Sequence, residues 1–374
     1  MPLNPDGRRA LMGMLNESAS RPSISRAKRW LKRIGLGILV LLVLVVAVGT
    51  GYEMLGRLNA KEQYPPPGKL VDIGGRRMHI DCRGTGSPTV IFESGLGTGG
   101  TIDWTLVHDK IAGFTRACAY DRAGIMWSDP KSTPQDAAAV TEDLHATLKA
   151  AGISDPLVLV GHSIGGPYTR TYVGKYGDQV AGLVMVDPSH PDQVARLGQV
   201  VSVNVHPGRS SRLMHAASAL SWTGIVRFMM TGNELPKLQT EADTRMAAEA
   251  MPKAFAYSSK SIKAATAELD GFDRTMAQAR AVDSFGNRPL IVLTAMAPFK
   301  PEQLKALDIT AQDAVRFKQT WQVLHGEQAG FSTRGRQQIV PDATHYIQID
   351  RPDVVIGAVR EVVDTVRADA KGGS

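Results

Sequence analysis

Apolar residues beyond Lys69 fall into short runs punctuated by glycine, proline and polar turns. KLVDI (69–73) and RRMHIDC (76–82) alternate apolar with polar, and Gly74-Gly75 between them is a two-residue hairpin signal. Further strands are predicted at TVIFESG (89–95), RACAYDR (116–122), Leu157–Val160, VAGLVMVD (180–187), PLIVLT (289–294) and Gln337–Val340. Several of these are apolar at consecutive positions, the pattern of strands covered on both faces. Val140, Leu144 and Leu148 recur every four residues and predict a helix over 136–151; Val355, Val359, Val362 and Val366 predict another near the C-terminus. Strands alternating with helices imply an α/β domain with a mostly parallel sheet.

Two stretches break the alternation. Between Pro188 and Arg288 helical spacing replaces strand patterns, with six methionines, Trp222 and Phe228. This reads as a helical lid (188–288) inserted between core segments 69–187 and 289–374. Its methionines suit either ordinary packing or a pliable apolar wall around a substrate. The second stretch is Ile34–Tyr52, uncharged throughout, whose helix would be roughly 28 Å long and so about as long as the hydrocarbon core is thick. Residues 53–68, with Pro65-Pro66-Pro67, read as a stiff spacer after it.

Charge changes this picture in one respect. The 374 residues carry a net charge of +7, which invites a nucleic-acid partner. However, eight Arg and Lys precede residue 34 against Asp6 and Glu17, so +6 of the total sits in the first 33 residues. The basicity marks a cytoplasmic tail (1–33), and no nucleic-acid partner is expected. With the basic side retained in the cytoplasm, Ile34–Tyr52 becomes a single-pass transmembrane anchor and the α/β domain lies outside. A cleaved signal peptide, with Ala47 and Gly49 near the cut, is the rival reading and would give a secreted protein.

The candidate chemistry begins at LVLVGHSIGGPYTR (157–170). A chain passing from buried strand to helix with almost no loop must bend sharply at Ser163. Gly161 and Gly165 remove the Cβ atoms that would clash there. Such a G-x-S-x-G elbow lifts a serine hydroxyl above the sheet on a strained backbone.

FESGLG, YDRAGIMWSD, GHSIGG and DATHYIQIDRPD, in this order, resemble the α/β-hydrolase superfamily from about Lys69 to the C-terminal helix. The resemblance implies an α/β-hydrolase fold, a mostly parallel sheet flanked by helices with an inserted helical lid. It also implies a Ser163 nucleophile and His345 as its base, with Thr344 where the family often has glycine. For the acid two places remain: Asp187, ending the strand after the elbow helix, or Glu302 and Asp308, beyond the next strand. The oxyanion hole would use the N–H groups of Ile164 and Leu96, where Ser94-Gly95-Leu96-Gly97 replaces a more usual His-Gly pair. His162 would serve packing, and the two charged residues Asp121 and Arg122 would be structural, anchoring the loop beneath the catalytic edge.

The superfamily's sheet order would bring Cys82 near Cys118, which makes a disulfide possible outside the cytoplasm; the alternative is two buried thiols. Neither cysteine has a second ligand at zinc-site spacing, and no metal or cofactor is expected. A serine at the elbow argues against the haloalkane dehalogenase and epoxide hydrolase branches, which use aspartate there. The expected activity is ester hydrolysis through an acyl-enzyme on a small, apolar substrate. Acyl transfer, amide or carbon–carbon cleavage, and a non-catalytic binding protein are the alternatives.

Overall fold

The structure is a computed structural model and describes residues 24–154, 156–203, 205–207, 212–231 and 246–372. Most of the expected basic tail (1–33) and parts of the expected lid lie outside the described residues. The chain divides into two compact units, Met1–Gly51 and Tyr52–Ser374.

The first unit is the N-terminal part of helix α1 (Ile24–Gln63). From Ile34 to Val46 its large aliphatic side chains are exposed, and the helix is long and apolar enough to cross a membrane. One expectation is corrected here: residues 53–68 are not a spacer throughout. Residues 53–64 contain no proline, and the helix continues to Gln63. Within the second unit Glu53 and Ala60 are buried, and Glu53 accepts from Arg227 Nε at 2.9 Å.

The second unit is built on one eight-stranded sheet. Its strands are β1 (Lys69–Asp72), β2 (Arg77–Arg83), β3 (Thr89–Glu93), β4 (Ala117–Tyr120), β5 (Leu157–His162), β6 (Val180–Val186), β7 (Leu290–Ala295) and β8 (Gly335–Val340). They lie in the order β1-β2-β4-β3-β5-β6-β7-β8. β1 pairs antiparallel with β2, and β2 with β4; the remaining pairs are parallel. At the β1–β2 turn Gly74 and Gly75 both have positive φ, and their N–H groups donate to Asp72 Oδ1.

Both faces of the sheet are covered, which explains the continuous apolar runs. Val158, Val160, Val184 and Val186 pack on one face with Val355, Val359 and Val362 of the C-terminal helix. Leu157, Leu159, Leu183 and Met185 pack on the other with Leu144 and Leu148 of helix α2 (Ala137–Ala150) and Tyr172 of helix α3 (Gly165–Tyr176). Asp136 caps α2, accepting from the Ala139 N–H at 3.1 Å.

The segment between β6 and β7 contains helices α4 (Arg212–Leu220), α5 (Ile225–Thr231), α6 (Met251–Asp270) and α7 (Phe272–Arg280), and no named strand among its described residues. Its methionines divide: Met276 is buried beside Tyr168 and Phe272, while Met229 is exposed. A further helical stretch, α8 (Pro301–Leu307) and α9 (Ala311–Ala329), separates β7 from β8, and the C-terminal helix α10 spans Pro352–Gly372.

Cys82 and Cys118 are directly opposed on β2 and β4 and form a disulfide closing a 36-residue separation.

Candidate active site

Ser163 stands between the end of β5 and the start of α3 with φ of 55°, in the left-handed region that non-glycine residues rarely adopt. Backbone bonds hold the bend. Its N–H donates to Val186 O at 3.2 Å, and its carbonyl accepts from Gly166 N at 3.0 Å and Ser189 N at 2.8 Å. The flanking glycines are required by contact rather than by φ. A Cβ on Gly161 would lie 2.6 Å from Gly165 O, and one on Gly165 would overlap the carbonyl oxygen of Glu93.

Asp187 follows β6 directly, also at positive φ (42°), and is buried. Its Oδ2 accepts from His345 Nδ1 at 2.6 Å. Oδ1 accepts from Ala295 N at 2.9 Å and from Trp321 Nε1 at 3.0 Å. Burial alone would raise this carboxyl's pKa; the His345 hydrogen bond, the nearby His325 and the Ala295 N–H outweigh it and hold it below the ordinary carboxylate value. Because Nδ1 of His345 donates, Nε2 is left free to accept a proton. Glu302 and Asp308, the other places considered for the acid, are exposed on α8 and at its C-terminal end, and neither bonds to His345.

His345 is tied to the elbow through His162. The His162 Nε2–H donates to the His345 carbonyl at 2.9 Å, and the two rings lie 4.7 Å apart between centroids. His162 therefore seats the loop that carries His345, more than the packing expected of it. Burial, with His345 adding to it, pushes its pKa down to about 3, so its ring stays neutral. No hydrogen bond joins the Ser163 hydroxyl to His345 in this arrangement. Thr344 spends its N–H and hydroxyl on Asp350 Oδ2, at 2.7 and 2.5 Å, which fixes the loop without a glycine.

The loop after β3 abuts the elbow. A Cβ on Gly95 would meet His162 Nδ1 at 2.8 Å and Ser163 Cβ at 3.3 Å, so only glycine lets this backbone approach. The N–H groups of Leu96 and Ile164 find no acceptor among the described residues. Asp121 and Arg122 each anchor the loop through separate buried partners. Asp121 holds His79 Nδ1 at 2.8 Å and Thr101 N at 2.8 Å, while Arg122 pairs with Glu93 and Glu268. Sequence reasoning missed Trp321 and Glu268, whose roles depend on contacts 134 and 146 positions apart along the chain.

A cavity of about 350 Å3 opens beside Asp187 and His345, walled by Phe299, Phe317, Trp321 and Tyr346. A second, of about 340 Å3, shares Phe299, Phe317 and Trp321 and adds Leu197, Val201 and Leu307. Among the described residues no cluster of three or more His, Cys, Asp or Glu is arranged to hold a metal ion.

The chain is similar to an uncharacterized protein of Schizosaccharomyces pombe (29% identical over 165 residues, 36% of this chain and 31% of that one). It is also similar to the uncharacterized protein YbdG of Bacillus subtilis (28% identical over 158 residues, 41% and 48%). It spans less than half the length of the curated relatives it matches. Among solved structures it resembles an esterase from Thermogutta terrifontis, with a TM-score of 0.53 and 19% identity over 80% of this chain and 98% of that one. An enol-lactonase from Burkholderia xenovorans LB400 gives 0.52 and 17%, over 79% and 100%. At these identities the likeness is one of fold. The alpha/beta hydrolase family model, however, matches residues 63–358, most of the chain and every element of the site just described, and the chain belongs to that family.

Proposed function

We propose that this protein is a membrane-anchored serine hydrolase that cleaves carboxylic esters through an acyl-enzyme on Ser163. His345, oriented by Asp187, takes the Ser163 proton as the oxygen attacks the carbonyl carbon. The Leu96 and Ile164 amides receive the oxyanion, and His345 returns the proton to the departing alcohol. Water then enters by the same route and releases the acid. The observation that carries the reading is the 2.6 Å Asp187–His345 bond, which leaves the imidazole as a base on a loop bonded to the residue before Ser163. The serine–imidazole hydrogen bond forms when substrate fills the site, as is common where catalytic bonds are long in the free enzyme.

An apolar substrate fits the aromatic and aliphatic walls of the two cavities. The basic residues ahead of the apolar helix favour a cytoplasmic N-terminus, and the Cys82–Cys118 disulfide favours a catalytic unit in an oxidising compartment outside it.

The test is active-site labelling of the full-length protein with a fluorophosphonate. Wild type should label and hydrolyse p-nitrophenyl esters, longer acyl chains better than acetate. Ser163→Ala should do neither while retaining its far-UV circular dichroism. Equal labelling of Ser163→Ala would refute the reading.

A further inference from the structure

Arg122, just after β4, is buried to 4% exposure and spends all five of its N–H donors. Nε and Nη2 form a fork on Glu268, at 2.7 and 2.8 Å. Nη1 donates to Glu93 Oε1 at 2.7 Å and to Ser94 O at 2.8 Å, and the second Nη2 hydrogen goes to Gly95 O at 2.8 Å. The guanidinium also lies 5.2 Å from the ring centroid of Tyr168 on α3.

Two of these acceptors belong to the loop beside Ser163. The Gly95 carbonyl shares one planar trans peptide with the Leu96 N–H, and the two point in opposite directions. A donor holding the oxygen therefore fixes where the N–H aims. Lysine could not do the same, because its ammonium lacks the rigid fork that spans two carbonyls and two carboxylates together.

The second carboxylate is not part of the sheet. Glu268 lies on α6, in the segment between β6 and β7, and is completely buried. Glu93, at the end of β3, balances one end of the guanidinium from the core, and Tyr120 donates to its other oxygen. Removing Glu268 would leave Nε and one Nη2 hydrogen without acceptors inside the protein and free the guanidinium to swing towards Glu93.

We propose that Arg122 is a positioning residue for ester hydrolysis, aiming the Leu96 N–H at the oxyanion, and that Glu268 holds Arg122 in place from the inserted helices. This rests on the serine hydrolase reading above. Docking of the insertion and completion of the oxyanion hole are then one event.

The test uses full-length Glu268→Gln and Arg122→Lys, with rates expressed per active site titrated by fluorophosphonate. Acylation by a p-nitrophenyl ester should slow about 10- to 100-fold, with KM changed by less than about two-fold, the mark of an interaction made only in the transition state. Inhibition by a trifluoromethyl ketone, whose adduct with serine carries an oxyanion, should weaken by the same factor. Inhibition by the product carboxylate should not change. A purely structural Arg122 would lower thermal stability in both variants and leave these per-site constants at wild-type values, which would overturn the proposal. If Arg122→Lys does not fold, Glu268→Gln decides alone, since it keeps the side chain's shape and loses one acceptor. Failure of wild type to label at Ser163 would overturn the parent reading with it; wild-type constants in Glu268→Gln alongside intact labelling would overturn only this one.

Discussion

His345 Nδ1 and Asp187 Oδ2 lie 2.6 Å apart although 158 positions separate them in sequence, and the carboxylate's other oxygen is occupied by Ala295 N and Trp321 Nε1. The acid is thus fixed on both sides, and the imidazole can take only one orientation against it. Asp187→Asn would keep the shape, but with its oxygen still held by Ala295 N and Trp321 Nε1 it would turn an amide N–H towards Nδ1 and impose the wrong tautomer. Ester turnover should fall by about three to four orders of magnitude in kcat. Asp308→Asn and Glu302→Gln should stay within about two-fold of wild type, the range of ordinary surface changes. Initial rates with p-nitrophenyl butyrate measure all three.

The elbow makes a prediction about stability as well as rate. Gly165→Ala places a methyl against the Glu93 carbonyl, a backbone atom that cannot rotate away. It should destabilise by about 1–3 kcal/mol or more, as overpacked sites do. Gly357 lies exposed in α10 with nothing within 4 Å of its would-be Cβ. Gly357→Ala should stabilise by about 0.5–1 kcal/mol through helix propensity. Urea midpoints of the two variants should move in opposite directions.

Four buried histidines, His108, His162, His190 and His325, resist protonation in the folded chain, whereas at His79 burial is outweighed by the Asp121 carboxylate, which favours it. Burial pushes His162 down to about 3 and His190 and His325 to about 4, from an ordinary 6.5. Below pH 6.5 the unfolded chain takes up protons that the folded one refuses, so stability falls as pH drops through this window. The loss is at most about 1.4 kcal/mol per pH unit for each of these four. The depressed Asp187 carboxyl acts in the same direction further down, as it is protonated. Urea midpoints should be nearly level above about pH 7 and decline from about pH 6.5 to 4.5, and a flat profile across that lower range would contradict the assignment.

Cys118→Ala should lower stability by about 2–4 kcal/mol, the usual worth of a bridge closing a loop of this length. Wild type treated with dithiothreitol after unfolding should match the variant, and non-reducing mass measurement of the intact chain should show the two-hydrogen deficit.

Sequence made the local features legible, and long-range contacts were the part it hid. Apolar runs gave the central strands β3 to β7, where burial on both faces leaves few polar positions to confuse the pattern; β1 and β2 were legible from alternation around Gly74-Gly75, and β8, mostly polar, only over Gln337–Val340. Gly161-x-Ser163-x-Gly165 announced its bend because the steric reason is contained within five residues. Asp187 was harder, since an aspartate before proline also caps turns, and its bonds to His345, β7 and α9 come from more than 100 positions away. Glu268 was invisible: in a helix of mixed composition, nothing local separates a buried carboxylate from a solvated one. The end of the apolar helix was misplaced for a different reason. Charged residues after Tyr52 marked the end of the uncharged run, but charge does not stop a helix; Pro65 does.

The cross-strand bridge also governs how the protein bears force. A chain held at its N-terminus feeds tension into β1 and then β2, and at Cys82 the load passes through sulfur directly to Cys118 on β4. Residues 83–117, which include β3 and the turn bearing Leu96, lie outside that covalent load path, and β3 stays paired with β4 and β5. Pulling on the N-terminus should therefore strip the first hairpin and stall at the bridge, leaving the segment around Leu96 mechanically silent.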